Sequence, residues 1–183
     1  MFKRTLIGLA LVASLSACNS EPHHPISQVV PGTTYSAQLL PTAGNEGLHG
    51  SIHFEQKPQH VSVRVHVEGL LANSTHGFHV HEFGDCSAVD ATSAGSHFNP
   101  EGVSHGGPDS AERHVGDLGN IVTNGQGVAV AEFADTALMM EGEHSILGRA
   151  VVIHAQHDDL TSQPVGNAGS RLLCGVIGVA NKG

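Results

Sequence analysis

Seven side chains of types that bind metal ions occur between residues 79 and 154, namely His79, His81, His97, His105, His114, Asp117 and His154. Two metal ions with four protein ligands each would need eight ligands. One histidine that binds both ions through its two ring nitrogens would make seven sufficient, and so would a water ligand. The set therefore predicts a two-metal site, and the count leaves both explanations open.

Alternation places the first two histidines on one face of a strand. In the run Gly77–Glu82, His79 and His81 point to one side and Phe78 and Val80 to the other. Two imidazoles on one strand face can bind one metal ion. His154 ends an apolar run and could approach the same ion from another strand.

The second group of ligands lies in a glycine- and proline-rich stretch that is typical of a long loop: His97, His105, His114 and Asp117. A loop of this length in a compact domain is usually functional. Three imidazoles and one carboxylate form a closed set that suits a structural, tetrahedral zinc ion. Imidazole also suits copper, so the histidine-only set around His79 and His81 could hold a redox metal.

Other histidines carry no such signal. His66 lies in a run where valines alternate with polar residues, which predicts a half-buried strand with His66 facing solvent. We assign no role to His49, His53, His60 or His144.

Short alternating runs recur along the chain and predict strands at 33–40, 48–54, 61–69, 77–82, 119–123, 128–133, 147–154 and 174–179. Glycine is abundant, with 23 residues, whereas there is one Tyr and no Trp. The segment Asn124–Gly127 is a hairpin signal, and no long helical periodicity occurs. This pattern predicts a single all-β domain, a sandwich or barrel.

Several motifs together resemble the copper–zinc superoxide dismutase family: His76–Glu82, Ser93–Pro100, His105–Pro108 and Gly166–Gly178. The resemblance runs from about Tyr35 to the C-terminus. It implies an eight-stranded Greek-key β-sandwich or barrel, immunoglobulin-like, with long metal-binding loops. It also implies one copper and one zinc ion per chain and superoxide as the substrate. The expected copper ligands are His79, His81, His97 and His154; the expected zinc ligands are His97, His105, His114 and Asp117.

The resemblance implies roles for two further residues. Arg171 is expected beside the copper ion, where it positions superoxide. Asp158 is expected to accept hydrogen bonds from His79 and His105; Asp159 could compete for this role, but its spacing from His154 fits less well. Two rival functions are a copper- or zinc-buffering lipoprotein without turnover, which needs no Arg171, and a zinc hydrolase, which needs an open zinc position.

Two departures from the eukaryotic pattern bear on substrate guidance and assembly. Cys86 comes several residues early and the run to His97 is longer, as in bacterial members. The segment 161–164 is short and lacks the charged residues that guide the anion in eukaryotic members, so guidance by this loop is in doubt. Gly84, Leu147, Gly148 and the C-terminal strand resemble the eukaryotic dimer surface, which favours a homodimer, although the shifted cysteine loop would alter that surface.

The N-terminus is predicted to be a targeting segment. Residues 1–17 read as a signal peptide with Lys3 and Arg4 before a short apolar stretch. Leu15–Cys18 resembles the lipobox of bacterial lipoproteins, with Cys18 carrying lipid; an ordinary secretory signal is the alternative. Residues 18–32 would form a lipid-attached tether and 33–183 the enzymatic domain. Asn19 favours the periplasmic side of the outer membrane, and the linker histidines His23 and His24 are more typical of a polar tether than of metal capture.

Export of the protein would determine how its cysteines pair, and removal of the signal peptide would change its net charge. With Cys18 lipidated, Cys86 and Cys174 remain, and an exported protein is expected to join them in a disulfide. Closing a loop of this length contributes about 4–5 kcal/mol in the chain-entropy model.

Without Lys3 and Arg4, six basic and 17 acidic residues give a formal charge of −11. This balance argues against nucleic acid as a partner and requires a local positive focus for an anionic substrate.

Overall fold

The computed structural model describes residues 33–181, which form nine antiparallel strands and one short 3-10 helix, Thr92–Ala94. The predicted signal peptide, Cys18 and the tether lie outside the described residues. No helix within 33–181 is long and apolar enough to span a membrane. The strands are β1 (Thr34–Pro41), β2 (His49–Gln56), β3 (Val61–Glu68), β4 (Thr75–His81), β5 (Asp117–Val122), β6 (Ala129–Asp135), β7 (Ala150–His154), β8 (Arg171–Val176) and β9 (Gly178–Val179).

The strands form a nearly closed barrel in the order β5-β4-β7-β8-β1-β2-β3-β6. Strand β1 joins two sheets, because most of it pairs with β2 while its end, at Leu40 and Pro41, pairs with β8. The outer strands β5 and β6 contact each other and are connected by the predicted turn at 124–127. The all-β Greek-key prediction is confirmed.

The eight-stranded order is as predicted, but the predicted last strand, 174–179, is interrupted, which adds a short ninth strand beside it. Ile177 is 1% exposed, and its backbone N–H donates to Arg149 O instead of to a neighbouring strand. Strand β8 therefore ends at Val176, and β9 pairs separately with β1. The predicted strand 147–154 likewise begins later, at Ala150.

Core packing follows the alternation of the sequence. The valines of β3 face inward and are at most 2% exposed, while the polar residues between them are half-buried or exposed. Each such buried side chain contributes about 1.5–3 kcal/mol relative to an exposed one. Strand β4 differs because both of its faces are buried: Phe78 and Val80 enter the core, and His79 and His81 are covered by loops.

A disulfide fixes the loop that follows β4. Cys86 and Cys174 are bonded, with 5.8 Å between their Cα atoms and a sequence separation of 88. This confirms the predicted pair. A small second core of buried residues lies beside it, made of Ala91, Ala94, Ala150, Val152 and Cys174.

Candidate metal centre

Two groups of buried side chains have the composition and convergence that metal ions require. In each group the four candidate ligand atoms lie within 4.8 Å of one another. The four-histidine cluster consists of His79, His81, His97 and His154; the zinc-type cluster consists of His97, His105, His114 and Asp117. His97 belongs to both. The structure thus brings together all seven residues that the sequence singled out.

Neighbouring strands and a returning loop assemble the four-histidine cluster. His79 and His81 project from the outer face of β4, and His154 ends the adjacent strand β7. The loop carrying His97 runs beside β4, where Phe98 N donates to Val80 O. This pairing places His97 against His81, with which it forms an isolated bridge.

Asp117 organises the zinc-type cluster. Its Oδ1 lies 2.8 Å from His97 Nδ1 and 3.1 Å from His114 Nδ1, and its Oδ2 lies 3.0 Å from His105 Nδ1. Oδ2 also accepts backbone N–H groups of Gly106 and His114. Three Nδ1 atoms therefore converge on one carboxylate whose position is fixed by the backbone.

In five of the six histidines, one ring nitrogen faces away from the clusters and meets an acceptor. His79 Nε2 and His105 Nε2 donate to Asp158 at 2.7 Å and 3.0 Å. The other three donate to backbone carbonyls: His81 Nδ1 to Gly95 O, His154 Nδ1 to Gly169 O and His114 Nε2 to Val103 O. Such outer bonds fix the tautomer, which leaves the second nitrogen of each ring with a free lone pair facing inward.

His97 is the exception, because both of its nitrogens face the clusters. Nδ1 meets Asp117, whereas Nε2 is buried without any hydrogen-bond partner, as are His79 Nδ1 and His105 Nδ1. His105 Nδ1 lies near Asp117 Oδ2, but the approach lacks hydrogen-bond geometry, as expected for two ligands of one ion. Unpaired buried polar atoms cost about 1–3 kcal/mol each. Their convergence fits two metal ions that share His97.

Burial keeps the four-histidine cluster neutral. Desolvation lowers the pKa of His154 to about 3 and that of His97 to about 4, with neighbouring imidazoles adding to the effect. The pKa of His81 also lies well below its usual value because of burial. Neutral imidazole is the form that binds a metal ion, so these rings are available as ligands at neutral pH.

The zinc-type cluster behaves differently because it contains carboxylates. Burial would lower the pKa of His105, but the adjacent carboxylates of Asp117 and Asp158 outweigh it and raise that pKa to about 9. Burial would raise the pKa of Asp117, yet the three adjacent imidazoles lower it. A metal ion at this cluster therefore competes with a proton for His105.

Asp158, rather than Asp159, links the two clusters. Asp158 is fully buried, whereas the Asp159 side chain bonds only its own loop, through Thr161, Ser162 and Asn167. The link depends on Gly166, because a Cβ there would lie 1.8 Å from Asp158 Oδ1, and its φ is +66°. The sequence did not single out Gly166 for this role; its position within the Gly166–Gly178 motif was the one available signal.

The short segment 161–164 contributes a contact that sequence reasoning missed. Gln163 Oε1 accepts the backbone N–H of His105 at 2.8 Å, and Gln163 Nε2 donates to His105 O at 2.9 Å. The amide side chain thus pairs with His105 as a neighbouring strand would. No sequence pattern indicates this contact, since it joins two loops 58 residues apart.

Arg171 lies at the edge of the four-histidine cluster. It pairs with His154 across β7 and β8, and its guanidinium donates to Ala91 O and Gly95 O. Gly95 O also accepts from His81 Nδ1. Burial lowers the pKa of Arg171, and its charge helps lower the pKa values of His81 and His154. A half-buried cation is therefore fixed beside the histidines.

Residues 48–177 match the family model for copper/zinc superoxide dismutase. The chain belongs to this family. It is 45% identical over 145 residues to a Cu-Zn superoxide dismutase of Cryptococcus neoformans, an alignment covering 75% of this chain and 94% of the relative. For the Schizosaccharomyces pombe enzyme the identity is 48%, with the same coverage. For the enzyme of Paramecium bursaria Chlorella virus 1 it is 47% over 139 residues, covering 73% and 74%.

Family membership accounts for the two kinds of ligand set. A copper/zinc superoxide dismutase holds one copper and one zinc ion, and this chain offers one cluster of imidazoles and one that includes a carboxylate. The unpaired inward nitrogens show that both sets fit a bound ion.

Proposed function

We propose that this chain dismutates superoxide with one copper ion on His79, His81, His97 and His154, and one zinc ion on His97, His105, His114 and Asp117. The observation that carries the assignment is the orientation of His97, whose two ring nitrogens face different clusters. A bridging histidine makes the seven side chains sufficient for eight coordination positions, so no water ligand is needed to complete them.

Copper supplies a one-electron couple, so that one superoxide is oxidised to dioxygen and the next is reduced to hydrogen peroxide with two protons. The protein positions the superoxide anion and holds a proton. Arg171 provides the positive focus that an acidic chain requires for an anionic substrate. His97 Nε2 is buried and has no other hydrogen-bond partner, which makes it the atom suited to hold a proton between the two half-reactions.

A metal-buffering protein is the rival function, and Arg171 argues against it. Storage of a metal ion gains nothing from a cation beside the ligands, which repels that ion. The guanidinium is nevertheless held in place by two backbone carbonyls, one of which it shares with His81. This arrangement is costly for a storage site and useful for an anionic substrate.

Metal analysis combined with a superoxide-consumption assay tests the proposal. Wild-type protein should contain one copper and one zinc ion per chain and consume superoxide catalytically. His97→Ala should impair binding of both metals, whereas His81→Ala should mainly impair copper binding. His53→Ala, at an exposed histidine on β2, is the matched control and should change neither metal. Full occupancy of both metals in His97→Ala, with unchanged copper spectra, would exclude the bridge.

We further propose that the enzyme is an exported bacterial lipoprotein of the outer membrane, anchored through Cys18. The lipobox-like Leu15–Cys18 supports this, and the Cys86–Cys174 disulfide fits an oxidising compartment. One acyl chain anchors only marginally, whereas a triacylated cysteine holds firmly. There the enzyme would meet superoxide formed outside the cytoplasm, because the anion crosses lipid poorly.

Fractionation of cells tests the anchor separately from the activity. Cys18→Ser should move the enzyme from the membrane fraction to the soluble fraction, or leave it uncleaved, without changing the specific activity of the folded domain. Fully soluble wild-type protein that begins at another residue would replace the anchor with an ordinary secretory signal.

A homodimer is proposed through an apolar surface beside Gly84 and Gly148. Phe83, Leu147 and Val176 are 52%, 41% and 43% exposed, and Gly84 packs closely on Gly148 and Val176. Exposed apolar residues beside closely packed glycines suit contact with a second copy of the chain. Analytical ultracentrifugation should find a dimer that Leu147→Glu converts to monomer. A monomeric wild type at all concentrations would exclude this interface.

A further inference from the structure

Two histidines that the sequence left without a role converge on one carboxylate, on strands β2 and β3, which carry none of the seven candidate ligands of the metal centre. His66 Nε2 lies 3.1 Å from Glu68 Oε1, and His49 Nε2 lies 3.8 Å from Glu68 Oε2. The register of β2 and β3 explains the convergence, because His49 is directly opposite Glu68 and Ser51 is opposite His66. All three side chains project from the outer face of the sheet.

The same surface carries further oxygen atoms suited to a cation. A shallow groove there is lined by the three side chains together with Gln38 and Ser51. Gln38 pairs with Ser51 across β1 and β2, so a row of polar side chains crosses three strands. On the opposite face of the same strands, Ile52, Val65 and Val67 are buried in the core.

We propose that His49, His66 and Glu68 form a third metal site, which binds a borderline divalent ion, Zn²⁺ or Cu²⁺, from solvent. Two imidazoles and one carboxylate are a ligand set that both ions accept. The remaining positions would be filled by water or by the oxygens of Gln38 and Ser51. The site would hold metal at the surface of an enzyme that must acquire both of these ions.

Exposure sets the strength of this site. The side chains of His49, His66 and Glu68 are 67%, 56% and 42% exposed, so the rings can rotate onto a common ion. Ordering each of them costs about 0.5–1.5 kcal/mol, which makes the site weaker than the buried centre. The formal charge of the chain, −9, favours cation binding. Weak, exchangeable binding is expected of a site that takes up metal ions from solvent, whereas a structural site binds its ion tightly.

Zinc titration of the metal-loaded enzyme tests the proposal. The full chain should carry His23→Ala and His24→Ala, so that the N-terminal histidine pair does not contribute. With copper and zinc already in the centre, calorimetry should detect one additional Zn²⁺ per chain. His66→Ala and Glu68→Gln should each weaken this binding at least ~10-fold, which equals ~1.4 kcal/mol. His53→Ala is the control, since His53 lies on the same strand but opposite Arg64.

The variants should change metal binding at the third site without changing the enzyme itself. Superoxide consumption and melting temperature should stay unchanged in all variants, because the altered side chains are exposed and lie outside the centre. With Cu²⁺ as the probe, electron paramagnetic resonance should show a second copper signal that His66→Ala abolishes. Absence of an additional ion in the parent protein overturns the proposal. An additional ion that persists in His66→Ala or Glu68→Gln, or that also disappears in His53→Ala, overturns it as well.

Discussion

Replacement of Asp158 by asparagine tests whether one carboxylate orients both halves of the metal centre. Asp158 Oδ2 accepts from His79 Nε2 at 2.7 Å, and Oδ1 accepts from His105 Nε2 at 3.0 Å. Oδ1 also accepts the backbone N–H of Leu160 at 2.7 Å. Asparagine has the same shape but only one acceptor oxygen, so its NH₂ group must face one of these N–H donors.

The number of donors at each oxygen predicts which histidine loses its acceptor. Two donors converge on the Oδ1 position and one on the Oδ2 position, so the amide oxygen should take the Oδ1 position. The NH₂ group then opposes His79. Loss of such an outer partner typically lowers metal affinity about 10–100-fold, or ~1.4–2.7 kcal/mol. Copper affinity should fall by this factor, and zinc affinity should fall less.

Competition with chelators of known affinity measures both constants, and inductively coupled plasma analysis gives the occupancies. Asp159→Asn is the matched control: the neighbouring carboxyl is half-buried, bonds only its own loop and should leave both affinities within about twofold. Unchanged copper affinity in Asp158→Asn, or a loss confined to zinc, would refute the reasoning about the two oxygens.

Arg171→Ile should lower turnover roughly tenfold, while copper content and melting temperature stay near wild type. Arg171→Lys should recover part of the rate. An unchanged rate of Arg171→Ile at low salt would exclude a role for the charge. Gln163→Ala should accelerate zinc release to a chelator without affecting copper release, because the backbone of His105 loses both of its bonds to Gln163. Thr161→Ala in the same loop is the control. A release rate equal to that of the wild type would mean that Gln163 does not support the zinc site. Cys86→Ser should reduce the free energy of unfolding by about 4–5 kcal/mol, measured with denaturant; a loss below ~1 kcal/mol would mean that the disulfide does not constrain the unfolded chain.

The parts of the centre that the sequence predicts are those governed by local geometry. His79 and His81 share a face because side chains alternate along a strand, whereas the role of Asp158 was implied by the family resemblance. The ligand count indicated a shared histidine or a water, and the two inward nitrogens of His97 support the shared histidine that we propose. The number of ligands in a sequence does not show how the imidazole ring of a histidine is oriented.

Contacts between distant loops were out of reach for a single sequence. Gln163 pairs with His105 across 58 residues, and Gly166 is required by the close approach of Asp158 to His105. Neither contact produces periodicity or a local motif of its own. The convergence of His49 and His66 on Glu68 was likewise hidden, because it depends on the register between two strands. Alternation predicts which face a side chain takes but not its cross-strand partner.

Metal removal should affect the two long loops of the centre unequally. Between Glu101 and His114, the buried residues are His105, Gly106, Gly107 and His114, so no large apolar side chain anchors this segment. The loop after β4 is held by the Cys86–Cys174 disulfide and by buried Ala91 and Ala94. Binding energy at the metal therefore stabilises mainly the first segment.

Hydrogen exchange with and without a chelator compares these two loops within one molecule. On zinc removal, exchange in 101–113 should accelerate at least ~10-fold. What remains is the Arg113–Asp135 ion pair and single hydrogen bonds, such as those of Gln163 to His105 and of Asn99 to Val103, which contribute about 0.5–1.5 kcal/mol each. Segment 86–95 and strand β3 should keep their protection, since neither contains a zinc ligand. Equal acceleration in both loops would mean that the centre supports the whole β4 side of the barrel. Unchanged protection in 101–113 would mean that the zinc-type cluster is preorganised by protein contacts alone.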